Sequence, residues 1–385
     1  MINSLEKEQI VSLIKKEVVP AIGCTEPIAV SLCVAKATEV LGTQPEKIKV
    51  YLSANVLKNA MGVGIPGTRM VGLPIAVALG ALIGKSEYGL QVLKDLTPGD
   101  VELGKQYISE KRLEIALKEG VADNLYIEVH CIVGADEAEA VIRGTHTNFS
   151  YIAKNGDILC DEACSENGDV CKDEVTLTFA KVYEFATTVP VDDIRFILQA
   201  AELNRKASKL SHEGNYGHNV AKTVTGTLGK KIFGDSMLSH MMSYTAAACD
   251  ARMDGAMIPV MSNSGSGNQG ITATLPVLTF AEDTNCTEDE LVRALILSHL
   301  TVVYIKQKLG RLSALCGCVA AATGASCGIT HLMGGDYSQV TFAVKNMVGN
   351  ITGMICDGAK PSCALKISSG VSTACLLYTS DAADE

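Results

Sequence analysis

The segment Met354–Lys366, MICDGAKPSCALK, sets Cys356 and Cys363 on either side of a Gly358/Pro361 turn, so both thiols can swing toward one point. Two thiolates so placed suit an iron–sulfur or zinc nest. Glycine supplies backbone angles that other residues avoid, and proline holds off helix until Ser362, which can cap a helix running on through Ala364, Leu365 and Ile367. Cys363 then stands in a first helical turn, where unpaired amides and the helix dipole favour the thiolate. For each cysteine the ordinary alternative is a small core residue. A third ligand is needed, and the nearest source is the Ala/Gly/Cys-rich run Leu309–Cys327, which has the pattern of a buried helix. On such a helix Cys316 and Cys327 share a face but stand roughly 16 Å apart along the axis, at about 1.5 Å per residue. Cys318 points to nearly the opposite side from Cys316. This run is therefore expected to contribute one ligand, and geometry alone does not choose which.

A second constellation surrounds Cys24. Gly23-Cys24-Thr25-Glu26-Pro27 precedes the apolar run Ile28–Val40, with Thr25 a natural cap and Pro27 tolerated in a first turn. Cys24 is thus expected at a helix N-terminus with a low pKa, as a reactive thiolate for acid–base work or a displaceable fourth ligand, against a plain core thiol. Lys58, in NVLKNAMG, sits among small and apolar residues that can lower its pKa; a snorkelling surface lysine is the alternative. The loop Ser262–Gly270, SNSGSGNQG, offers three glycines whose amides can face an anion, plus Ser and Asn donors, just before ITATLPV. A substrate carboxylate at that helix start is the preferred reading, and a flexible connector is the other. Neither a Walker A nor a Rossmann fingerprint occurs. Cys160, Cys164 and Cys171 form an acidic loop without a histidine to complete a zinc spacing, and Cys33, Cys131, Cys249, Cys286, Cys318 and Cys327 are read as core thiols. His299 and His331 are candidate bases on helices, while His212 and His218 flank a loop.

The elements that must carry these groups divide near Pro190. Before it, helical runs (Glu6–Val18, Glu26–Val40, Gly72–Ile83, 100–108) mix with strand-like runs at Lys47–Leu52, Leu125–Val133, Ala140–Arg143 and Phe149–Ala153. After it, helix follows helix, as in Val191–Leu210, Val220–Phe233, Thr287–Lys308 and Arg311–Ala325. The expected fold class is α+β: a mixed α/β part with a small sheet over residues 1–190, then an all-helical cluster-binding domain over 191–374. Hydrophobic residues make up 47% and charged residues 20%, with a net charge of −10 that speaks against a nucleic-acid partner. The longest apolar run, Val71–Gly84, contains Pro74 and is too short to span a bilayer, and no signal peptide opens the chain. Fourteen scattered cysteines fit a reducing cytoplasm rather than a disulfide scaffold.

Five stretches together resemble the L-cysteine desulfidase family, itself related to the iron–sulfur L-serine dehydratases through their α-chain domain. They are PAIGCTEPIAVSL (Pro20–Leu32), NVLKNAMGVGIPGTRMVGLP (Asn55–Pro74), MSNSGSGNQGITATLPV (Met261–Val277), RLSALC (Arg311–Cys316) and GMICDGAKPSCALK (Gly353–Lys366). The resemblance runs from about Gln9 to Ala374. It implies that Cys316, Cys356 and Cys363 hold three corners of a [4Fe-4S] cluster, with a shorter loop between the last two than in the dehydratases. It also makes Cys24 the fourth cysteine of the pattern. The implied activity is a cytoplasmic lyase that eliminates sulfide from L-cysteine, giving pyruvate, ammonia and hydrogen sulfide. Cys24 or Lys58 would handle the proton, and Asn59 with Ser262, Asn263, Ser264, Gly265, Ser266, Gly267 and Asn268 would hold the substrate. The expected partner is a small amino acid, with no nucleic acid or membrane, and a homodimer is an open assembly. Three alternatives stand beside it: an iron–sulfur L-serine dehydratase, a pyridoxal-phosphate β-elimination enzyme with Lys58 as Schiff base, and a non-catalytic iron–sulfur protein. The closing CLLYTSDAADE (Cys375–Glu385) resembles translated sequencing adapter and is expected to be foreign to the fold.

Overall fold

The computed structural model describes residues 2–161, 175–310 and 313–376. Cys164, Cys171, Arg311 and most of the closing tail lie outside the described residues. Helix α1 (Ser4–Glu17) and the short strand β1 (Pro20–Ile22) lead into α2 (Thr25–Leu41), β2 (Lys47–Leu52) and α3 (Ala54–Ala60). A two-residue-per-strand ribbon, β3 (Gly64–Ile65) with β4 (Met70–Val71), precedes α4 (Leu73–Ile83) and α5 (Pro98–Ser109). Strands β5 (Leu113–Leu117), β6 (Tyr126–Val133), β7 (Asp136–Arg143), β8 (Phe149–Lys154) and β9 (Asp157–Asp161) then complete a six-stranded sheet in the order β5-β2-β6-β7-β8-β9. Only the β5–β2 pair is parallel.

The sheet buries one face, as the alternation in β2 requires: Ile48, Val50 and Leu52 point inward and the residues between them do not. Helix α2 covers that face, apolar on every side because α4 covers its back. The two helices approach closely: a side chain at Gly80 would sit 2.6 Å from the Ser31 carbonyl, and Ser31 Oγ donates to Ala76 O at 2.7 Å. Cys33 and Cys131 lie in this core, as expected of structural thiols, with Cys33 Sγ donating to Ala140 O at 3.2 Å.

The rest is helical: α6 (Phe179–Thr188), α7 (Val191–Ile194), α8 (Leu198–Glu213), α9 (Val220–Thr225), α10 (Thr227–Phe233), α11 (Met237–Met253), then β10 (Pro259–Met261). It continues with α12 (Gly267–Asp283), α13 (Glu288–Leu309), α14 (Gly317–Leu332), α15 (Tyr337–Ile351) and α16 (Cys363–Leu376). The α+β class is therefore observed. The second apolar cluster takes in Ile10, Leu13 and Ile14 of α1 and Val182 and Phe185 of α6, so a single cut near Pro190 does not separate the two cores. Cys375 is buried in α16 against Met241, inside this core. Among the described residues no helix is long and apolar enough to cross a membrane.

Three expectations on element bounds need correction. The expected helix Val191–Leu210 is broken by a 3-10 turn at Arg195–Ile197, and Val220–Phe233 is split at Gly226, where the chain leaves the helical path. Strands β5 and β9 escape the pattern because they are edges, with no clean alternation to read. Helix α12 begins inside the SNSGSGNQG loop rather than after it, since Ser266 caps it by accepting from Gln269 N.

The two halves are stitched by β1 and β10, which pair antiparallel from Pro20↔Met261 to Ile22↔Pro259, with Ser262 N donating to Val19 O at 2.8 Å. Both partners then run directly into helix starts, α2 and α12. Helix α12 rests on the end of β10 at Gly270, where a Cβ would lie 1.9 Å from Met261 O. Gly270→Ala is therefore expected to destabilise the protein by about 1–3 kcal/mol through backbone displacement. Urea denaturation followed by circular dichroism checks this; an unchanged midpoint would mean that α12 is free to shift off β10.

Candidate functional site

Cys316 and Cys356 are brought together by the backbone. Cys316 N donates to Met354 O at 3.0 Å and Cys356 N to Ala314 O at 2.8 Å, a single antiparallel bridge at Leu315↔Ile355. Cys316 is the N-cap of α14, not an interior helical residue. That corrects the expectation for Cys318: the helical spacing does not apply across a cap, and Cys318 Sγ lies 3.4 Å from Cys316 Sγ rather than opposite it. The Cys318 thiol donates to Cys316, which favours thiolate on Cys316 and keeps the proton on buried Cys318. Cys363 opens α16, as expected, but burial pushes its thiol up. Cys327 lies in the interior of α14, its thiol pushed up to about 12 by burial, a core residue.

The turn between Cys356 and Cys363 is held from outside. Asp357 pairs with Lys360 and Lys366, and Lys366 Nζ also donates to Ile355 O at 3.0 Å. Helix α3 presses on it: Lys58 Nζ donates to Cys356 O at 3.4 Å, and a Cβ on Gly358 (φ +100°) would sit 2.4 Å from Lys58 O. Only glycine fits there. The cations Lys306 and Lys366 near these thiols were not legible in sequence; burial of Lys306 lowers its pKa while Cys356 and Cys316 oppose that.

Cys24 is the N-cap of α2, with Thr25 the first helical residue rather than the cap. Its thiol is 2% exposed and donates to Glu26 Oε2 at 3.0 Å. The expected low pKa is not what this surrounding produces: burial, then the charge of Glu26, push the Cys24 thiol well up, and Arg252 only partly opposes them. Burial also works against Glu26, but His146, the Cys24 thiol and Arg252 outweigh it and hold the carboxyl below its ordinary range. Asn59 Nδ2 donates to Glu26 Oε1 at 3.0 Å. Thr25 Oγ1 lies 3.0 Å from Glu26 Oε2 and 2.9 Å from Gly265 O, tying this pair to the loop.

Within Ser262–Asn268 the side chains divide. Ser262 Oγ donates to Val19 O, Ser264 Oγ to Asn263 Oδ1, and Asn263 Nδ2 reaches His299 Nδ1 at 3.0 Å. Those three are engaged in holding the loop. Asn268 faces Arg252, whose Nη1 donates to its Oδ1 at 3.0 Å, and Cys249, 3.6 Å away. His299 is not a base: wholly buried, it accepts from Asn263 at Nδ1 and donates from Nε2 to Thr274 Oγ1 at 3.0 Å, and burial holds its pKa down to about 3. His212 and His331 are likewise lowered by burial, and His218 meets Asp250 through its backbone amide.

Cys316, Cys356, Cys363, Cys24 and the α12 loop thus meet where α2, α12, α14 and α16 begin and α3 ends. Sequence reasoning missed Arg252, Glu26 as a partner of Cys24, and Cys318 beside Cys316. The donor set fits a cluster: three thiols on two paired segments and a helix start, ringed by Lys306, Lys366 and Arg252. A single ion fits less well. Among the described residues the only His/Cys/Asp/Glu group with ligand atoms all within 4.8 Å is Glu128, His130 and Glu139 on the sheet, engaged with Lys118, Tyr126 and Glu137.

Residues 87–383 match the serine dehydratase alpha chain family. A UPF0597 protein of Bacteroides fragilis is 65% identical over 371 residues, covering 96% of this chain and 87% of the relative. One from Bacteroides thetaiotaomicron is 66% identical over 371 residues, 96% and 86% of the two chains. A more distant one from Oleidesulfovibrio alaskensis is 46% identical over 370 residues, 95% and 86%. The chain belongs to the serine dehydratase alpha chain family, which implies iron–sulfur lyase-like character.

The neutral His299 gives a pH prediction. Its folded pKa, about 3, lies below the unfolded value of 6.5, so between them the unfolded chain binds the extra proton. Its contribution is whole above about pH 6.5 and falls by about 1.4 kcal/mol per pH unit on acidification toward 3. Urea unfolding at pH 7 and 5 is expected to show the stability gap between wild type and His299→Gln narrowing in acid. An unchanged gap would mean that His299 is protonated in the fold.

Proposed function

We infer that this family member is an iron–sulfur β-eliminating lyase acting on L-cysteine, converting it with water to pyruvate, ammonia and hydrogen sulfide. The observation that carries the reading is the buried Cys24–Glu26 pair at 3.0 Å, set beside the three-thiol nest. Cys316, Cys356 and Cys363 would hold a [4Fe-4S] cluster, which supplies an open, thiophilic Lewis acid for the departing sulfur.

The chain supplies the rest. Passing the Cys24 proton to Glu26 leaves a thiolate able to remove the Cα proton, and the positive charge of Arg252 favours that thiolate. Asn59 and Thr25 fix the Glu26 carboxylate so that it can receive the proton. Lys58 serves by position, steadying the Cys356 turn through its carbonyl. Sulfide leaves, and the released aminoacrylate tautomerises and hydrolyses in water. The twelve described cysteines are all free thiols, as a reducing cytoplasm would keep them.

Serine remains the second substrate, favoured by the family's name and separated from cysteine by a poorer leaving group. The pyridoxal-phosphate alternative loses support: Lys58 is directed at Cys356 O, and Ser262 and Ser264 have their hydroxyls engaged at home.

Anaerobically purified protein is expected to contain iron and acid-labile sulfide and to release sulfide and pyruvate from L-cysteine faster than ammonia from L-serine. Single Ala substitutions at Cys316, Cys356 or Cys363 should strip most of the iron, while Cys327→Ala should keep it. Cys24→Ser and Glu26→Gln should each retain iron yet lose about 10²-fold or more in turnover. Full activity in both of the last two variants would sink the assignment of the base.

A further inference from the structure

Cys318 is the sulfur of the nest that the lyase reading leaves without a task. It is the second residue of α14 and buried, and its Sγ lies 3.4 Å from Cys316 Sγ. The closeness follows from the cap. Cys316 has extended backbone (φ −61°, ψ 132°), so the chain turns into the helix between the two residues and their side chains are not held two helical steps apart. The cap is also pinned: Cys316 N donates to Met354 O, and a Cβ on Gly317 would fall 2.9 Å from Gln269 Cγ.

The surroundings of Cys318 decide its role. Besides the Cys316 sulfur, its Sγ faces Met354 Sδ at 3.2 Å and Lys366 O at 3.6 Å. All three are acceptors, so the Cys318 sulfur is placed to give a proton. A second thiolate there would set two like charges 3.4 Å apart in the interior. Of the three acceptors, an iron-bound Cys316 sulfur would carry negative charge, and a hydrogen bond to a charged partner is roughly twice as strong as one to a neutral group. The Cys318 amide bonds the Cys316 sulfur as well, so two donors from one residue converge on one sulfur.

We propose that Cys318 is not an iron ligand but a positioning residue, whose S–H donates to the Cys316 sulfur and raises the reduction potential of the cluster held there. Hydrogen bonds to the sulfurs are one of the levers by which a protein sets that potential, since each favours the state with more negative charge on sulfur. The inference rests on the cluster of the proposed lyase and adds the residue that tunes it. The same withdrawal of charge leaves the irons poorer in electrons, and so better able to hold a departing sulfur.

The test poises the anaerobically reconstituted full chain at a series of solution potentials and reads the reduced fraction of the cluster by electron paramagnetic resonance, beside iron content and melting. Cys318→Ala should keep the iron of wild type, yet at a fixed potential its reduced-to-oxidised ratio should fall about tenfold, about 60 mV for one electron. Cys318→Ser, which keeps a donor, should stay within about threefold of wild type, and Cys327→Ala, which removes a buried thiol from the interior of the same helix, within about twofold. Should Cys318→Ala fail to fold, the infrared difference between loaded wild type and Cys318→Ser is expected to hold one S–H stretching band, lowered in frequency relative to that of Cys327. A ratio kept within about twofold in Cys318→Ala, or an equal fall in Cys318→Ser, would overturn the proposal, because no donor would then be at work. Iron lost from folded Cys318→Ala, or a missing S–H band, would overturn it by making Cys318 a ligand. If wild type takes up no iron, the cluster and the proposal fall together. If the potentials behave as stated while neither sulfide nor ammonia is released from any amino acid, the lyase reading falls and the role of Cys318 stands.

Discussion

A carboxylate in a protein interior persists only where donors replace the water it has lost, and Glu26 is such a carboxylate. Its two oxygens are met by Cys24, Thr25 and Asn59, with His146 and Arg252 supplying positive charge. Those partners come from α2, α3, α11 and the turn after β7, so neutralising one side chain draws four parts of the chain to one point. The β1–β10 pairing does the coarse work by placing the starts of α2 and α12 side by side. The Glu26 contacts then set the distances within the Cys24–Glu26 pair.

The same need for satisfaction explains which polar groups in the site have partners and which have not. Ser264, Asn263, His299 and Thr274 form one chain of hydrogen bonds, and Ser262 ties the loop separately to Val19 O. Arg252 Nε, Asn59 Oδ1 and Gln269 Oε1 are left over. Buried polar atoms without partners are uncommon in native proteins, and these three lie beside Asn268, Glu26 and the start of α14. The loop side chains are thus occupied with one another and with their supports, and the unpartnered groups lie at the start of α12 and on α3 and α11.

Much of the fold was legible because the interior strands alternate and the helices carry capping residues: β2 and β8 begin where the alternation begins, and Thr97, Ser236 and Thr287 cap helices with reciprocal N3 contacts. Edge strands β5 and β9 were not, since neither face of an edge is held to a strict pattern. In the site, Cys316, Cys356 and Cys363 were found by motif, but their relation was not. An Ala- and Gly-rich run has no periodic signal that tells a cap from an interior turn, so the start of α14 at Gly317, and with it the Cys318–Cys316 contact, stayed hidden. Arg252 was illegible for a different reason. One basic residue near a helix end is ordinary in sequence, and only its burial beside Asn268, with its charge felt at Cys24 and Glu26, marks it.

Four helix beginnings meet here: Cys24 caps α2, Ser266 caps α12, Cys316 caps α14, and Cys363 opens α16. Each start presents unpaired amides and a partial positive charge that fades within a turn, so their effect is confined to the place where they face one another. The contacts keep them there: Thr25 reaches Gly265, Gly317 packs on Gln269, and Cys363 lies within the field of Cys316. Burial opposes that positive field and pushes the Cys24 and Cys363 thiols up. The elimination proposed above would accumulate negative charge, first on the carbon losing its proton and then on the departing sulfur. For that reaction, helix starts and a buried guanidinium would carry the compensating charge in place beforehand, with no reorganisation required of them.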